Sequence, residues 1–175
     1  MYPLLALAFL LLVVIAYQSG FVLRRRRLLQ PWQTLLAGIQ PVDSVKLIAL
    51  ARTYLEPGKN QLEIEPEEMW VLIGGMDGLS KLRANSKVML DLAQHVERWN
   101  VDEGRIVAEM MRRDAFRLRQ ALWRLSVALV LRHKAFRAPF HLQEASAAYY
   151  LMRQRLLGLY ENNHAGLYPQ LAAVL

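Results

Sequence analysis

No cysteine occurs anywhere in the 175 residues, which excludes disulfides, thiolate zinc sites, iron–sulfur clusters and a cysteine nucleophile together. Glycine and proline are sparse, nine and seven residues, and nowhere do they gather into a flexible linker or a low-complexity tract. There is no internal repeat. Ser80, Ser86, Ser126 and Ser146 lack the Gly-x-Ser-x-Gly strand-to-helix setting that would expose a nucleophile. The one glycine cluster, Gly74-Gly75-Met76-Asp77-Gly78, matches neither a P-loop nor a dinucleotide fingerprint, and Asp77 would repel a phosphate. It reads instead as a tight turn between two helices.

Charge is also missing where it matters most: none falls on a side chain before Arg24. Residues 2–23 are 22 uncharged positions, long enough as a helix, at about 33 Å, to cross a hydrocarbon layer about 30 Å thick. A cleaved signal peptide would carry its positive charge before the apolar run. Here Arg24, Arg25, Arg26 and Arg27 follow it, so the run reads as an uncleaved anchor. The positive-inside rule then puts the amino terminus outside and the rest of the chain on the cytoplasmic side of the inner (plasma) membrane. The same four arginines suit anionic lipid headgroups, at about 1 kcal/mol per residue near the surface.

Beyond the anchor, periodicity predicts an all-α fold, a compact cytoplasmic domain of four to six helices over residues 41–161. Residues 24–40 form a basic, amphipathic connector that either lies on the membrane surface or docks on the domain. Asp43 or Ser44 caps a helix over 45–55, Pro66 opens another, and Asp77-Gly78 starts a third that runs to about Trp99. Residues 61–65 alternate like a strand but lack a partner strand, and read as an extended loop. The longest helix runs over 103–134. Along it Met111, Ala115, Leu118, Leu122, Leu125 and Leu129 recur at spacings of four and three, a seam for the core or for a homodimer. A final helix follows over 141–160. The tail, 162–175, ends in apolar residues that either tuck against the domain or bind a partner.

Nine lysines or arginines lie between Arg105 and Arg137 against only Glu109 and Asp114, in a chain of net charge +7. Arg112, Arg113, Arg117, Arg119 and Arg124 therefore mark a cationic face, suited to acidic headgroups, an acidic protein partner or nucleic acid. Nucleic acid is disfavoured: no helix-turn-helix signature is present, and Phe116, Trp123 and Phe136 read as core residues rather than stacking platforms. The four histidines supply two same-face pairs, Asp91 with His95 and His141 with Glu144, but no duplicated metal-binding motif. No cofactor is implied and no catalytic residue stands out. The leading expectation is a membrane-anchored interaction protein that recruits a protein partner, an adaptor or small subunit of an inner-membrane assembly. The alternatives are an enzyme or metalloprotein built on His95 and His141, and a membrane-tethered nucleic-acid-binding protein.

Overall fold

A computed structural model describes residues 31–56, 64–97, 101–130 and 138–175. Among them the chain forms seven helices and no strand: α1 (Trp32–Leu36), α2 (Ser44–Leu55), α3 (Pro66–Ile73), α4 (Gly75–Glu97), α5 (Val101–Val130), α6 (Ala138–Asn163) and α7 (Tyr168–Val174). The all-helical expectation holds. The helices beyond the expected four to six are the short end pieces, α1 and α7, each about two turns or less and too brief for a periodic pattern. Among the described residues no helix is long and apolar enough to cross a membrane. The anchor segment 2–23 and Arg24 to Arg27 lie outside them, as do residues 61–63 of the strand-like stretch.

Local chemistry sets the helix ends. The Asp43 side chain accepts the Lys46 N–H at 3.2 Å and caps α2. Its hydrogen bond with the Lys46 side chain, and then the one with the Lys46 backbone, hold the carboxyl below its ordinary pKa. Pro66 sits in the first turn of α3, where its missing N–H is not needed, and Glu67 and Glu68 face the positive helix end. Gly74 closes α3 at φ 81°, a left-handed conformation that a β-carbon would strain, and α4 begins at the next residue. A β-carbon on Gly78 would lie 1.6 Å from the Ile73 carbonyl oxygen, so only glycine lets the two helices meet this closely.

Helices α4, α5 and α6 form an up-down-up core. Parallel α4 and α6 are tied at matching levels by Asn85 to Tyr149 and by the Leu92 carbonyl to Tyr160. Antiparallel α5 meets α6 through Asp114 with Arg155 and through Glu103 with Asn162 and Asn163. The seam residues Met111, Ala115, Leu118, Leu122 and Leu125 are buried inside this core, which makes the stripe an intramolecular one. Each such leucine contributes about 1.5–3 kcal/mol of burial. Helix α6 is buried on most sides, with Ala145, Ala147 and Ala148 allowing close approach and Tyr149, Met152 and Leu156 filling volume.

Helices α1 to α3 cover the other side of the α4–α6 pair. On α4, Asn85 and Leu92 point to that side, whereas Arg83, about 200° around from Asn85 by helix geometry, lies beside Arg119 of α5. Of the two settings open to the connector, residues 31–40 take the second. Trp32, Leu35 and Ile39 are buried in the core. The Trp32 indole N–H donates to the Tyr160 hydroxyl at 3.0 Å, and that hydroxyl donates to the Leu92 carbonyl at 3.3 Å. Burial pushes the Tyr160 hydroxyl far above its ordinary pKa, so it stays a neutral donor. Asn85, fully buried, receives the Gln40 N–H and donates to the Gln40 carbonyl, both at 2.8 Å, and donates to the Tyr149 hydroxyl at 3.1 Å.

The tail also folds back. Leu171 and Leu175 are buried, and Arg153 Nε donates to the Leu175 carbonyl at 3.0 Å. These two leucines are committed to the fold rather than offered to a partner.

Candidate functional site: the outer face of the longest helix

Because α5 packs on α4 and α6 along its seam, the helix turns its opposite side to solvent, although Asp114 and Ala121, next to the seam, are buried with it. Ile106, Phe116 and Trp123 are exposed at 63%, 61% and 66%, and Met110 at 45%. This corrects the expectation that Phe116 and Trp123 fill the core. Each follows a seam residue, Ala115 or Leu122, by one position, so each is turned about 100° from the buried stripe. Their side chains are large and apolar, but the register of the helix decides where they go. Phe136 lies outside the described residues.

The arginines on this helix divide into two groups. Arg112 pairs with Glu109 at 3.0 Å and with Glu97 at 3.5 Å, and Arg124 reaches Glu144 at 3.8 Å. Arg117 approaches Asp114 at 4.0 Å, and Arg155 of α6 pairs with the same carboxylate. These three therefore have structural partners. Arg105 and Arg113 are exposed and have no carboxylate partner among the described residues. Arg119 donates through Nε to the Ala115 carbonyl at 3.2 Å, and its two terminal nitrogens have no hydrogen-bond partner among the described residues. Together Ile106, Met110, Phe116 and Trp123, interleaved with Arg105, Arg113 and Arg117, make an apolar and cationic ridge along one side of the bundle.

Asp114 is the one buried carboxylate on this helix. Burial raises its pKa, and the opposing attraction of Arg155 and Arg117 does not fully offset that. A raised folded pKa means that the stabilisation is full below the ordinary value of 3.8 and is lost as pH rises through the folded value. Asp114→Asn is neutral throughout. Its stability relative to the natural chain is therefore expected to improve between about pH 3 and about pH 7, measured by denaturant unfolding at each pH. A relative stability that worsens over the same range would mean that the pairing with Arg155 outweighs burial.

The histidine pairs do not converge. His141 Nδ1 stands 3.5 Å from the Glu144 carboxylate, which also faces Arg124. Counting ten residues from Asn85 to His95 and eight from His141 to Tyr149, with Asn85 and Tyr149 level, places the two histidines about 27 Å apart along the bundle. Among the described residues no three histidine, aspartate or glutamate side chains gather as metal ligands.

Sequence reasoning missed Arg83. Read alone it is one charge on α4, but the fold sets it across a cleft of about 310 Å³ from Arg119, with Leu122, Trp123 and Ser126 completing the walls. No local signal marks that pairing, since it depends on the register of α4 against α5. Comparison with family models, curated proteins and solved structures finds no match to this chain.

Proposed function

We propose that this protein is a membrane-tethered docking module, anchored by residues 2–23, whose α5 ridge receives an acidic, amphipathic segment of a cytoplasmic protein partner. The observation that carries the reading is the exposure of Phe116 and Trp123 among arginines, on the side of the bundle away from α1. Eight residues, 24–31, separate the anchor from Trp32, a span of at most about 28 Å. That leash keeps Trp32 within about 28 Å of the bilayer and leaves α5, on the other side of α4 and α6 from α1, accessible from the cytoplasm. Exposed aromatics are the side chains most often responsible for binding energy, and arginines without partners steer an acidic surface into place.

The full-length chain is expected to stay with the membrane fraction through a high-salt wash. Purified in detergent, it should retain a stoichiometric partner that the Phe116→Ser/Trp123→Ser and Arg105→Glu/Arg113→Glu variants release, with melting temperatures unchanged. Both pairs of substitutions fall on exposed side chains, so folding should be intact. Identical proteins retained by all three chains would sink the reading. Nucleic acid retained instead, and lost steeply with added salt, would replace it with tethering of nucleic acid.

A further inference from the structure

We propose that the cleft between α4 and α5 is a binding site for a phosphate monoester that carries a planar ring. The inference goes beyond the docking ridge, because Arg83 and Arg119 serve the cleft. Two guanidinium groups from different helices flank it, and neither has a carboxylate partner among the described residues. Among the described residues no acid lines it. Arg119 is held in place by its Nε hydrogen bond to Ala115, so its two terminal nitrogens keep their donors for a ligand. Among the described residues the site is thus uncompensated positive charge on helices rather than on a loop.

The number of donors selects the anion. One guanidinium fork cancels the single charge of a carboxylate and occupies about two of its four lone-pair sites, so a second arginine beside a carboxylate would stay uncompensated in charge. A phosphate monoester presents three terminal oxygens and close to two charges, and can accept both forks together. The remaining walls select what the phosphate carries. A volume of about 310 Å³ is far larger than the anion alone needs, and the exposed indole of Trp123 offers a flat face and one N–H donor beside the arginines. Ser126 Oγ donates to the Leu122 carbonyl at 2.8 Å, so toward the cleft it presents acceptor lone pairs, suited to a hydroxyl or amino group on the ligand. A ring stacked on Trp123, with its phosphate between Arg83 and Arg119 and a polar group at Ser126, uses each lining residue except Leu122.

The test is calorimetric titration of the full-length chain in a non-ionic detergent, with adenosine monophosphate, ribose 5-phosphate and adenosine as probes. Adenosine monophosphate is expected to bind about tenfold more tightly than ribose 5-phosphate, the gain of one stacked ring. Arg119→Gln should weaken both phosphate esters about tenfold or more, whereas Arg105→Gln, away from the cleft, should leave them unchanged. Trp123→Ala should erase the difference between the two esters. All three positions are exposed, and circular dichroism verifies the fold. The proposal is overturned by the absence of saturable binding up to about 10 mM, by binding that Arg119→Gln leaves intact, or by adenosine binding as tightly as its phosphate.

Discussion

Replacing Gly78 with alanine is expected to lower the melting temperature of the full-length chain by about 6–12 °C, corresponding to about 3 kcal/mol or more at the upper end of overpacking costs. The reason is the identity of the atom in the way. The new methyl would stand 1.6 Å from the Ile73 carbonyl oxygen and 2.8 Å from its carbon, both backbone atoms held by the α3–α4 turn. A flexible side chain could swing aside, but this carbonyl cannot move without opening the turn closed by Gly74. Thermal unfolding followed by circular dichroism measures the effect. A variant melting within about 2 °C of the natural chain would show that α3 and α4 can separate at little cost.

Trp32→Ala should be the other large perturbation, at about 3–5 kcal/mol for removal of a buried indole. It empties a core position and deletes the donor to Tyr160 Oη. Trp32→Phe fills most of the space and separates the two contributions: it should recover the greater part of the loss, leaving about 1–2 kcal/mol for the hydrogen bond and residual volume. Beyond stability, undocking residues 31–40 would lengthen the leash between anchor and domain. Denaturant unfolding of both variants, together with protease sensitivity near residue 40, would register the two effects. Unchanged unfolding midpoints in Trp32→Ala would mean that the segment does not depend on this anchor.

Much of the scaffold is legible in single-chain patterns. The seam from Met111 to Leu125, the Asp43 cap, Pro66 in the first turn of α3 and the glycine turn before α4 each rest on contacts within a few residues. The ridge was half legible. The basic character of α5 is plain in the sequence, but Phe116 and Trp123 look like core residues when judged by side-chain type. Only the phase of the stripe, one residue away at Ala115 and Leu122, turns them outward. The ties from Trp32 to Tyr160 and from Asn85 to Gln40 span 128 and 45 positions, distances over which no periodicity carries information. Asn85 in particular resembles any polar helix residue, until the bundle closes over it and it has to satisfy three hydrogen bonds at once.

The tie between Trp32 and Tyr160 also has a consequence for the order of events during synthesis. The indole leaves the ribosome 128 residues before its hydroxyl acceptor. At about 5–20 residues per second, that is a wait of about 6–26 s. If residues 2–23 insert as proposed, Trp32, Leu35 and Ile39 pass that interval beside the bilayer, at the interfacial depth where indole rings rest favourably. The pairing of α4 with α5, which is local in the chain, would already be under way. The two settings considered for the connector, on the lipid surface or on the domain, would then be successive stations of one segment, with the arrival of Tyr160 marking the transfer.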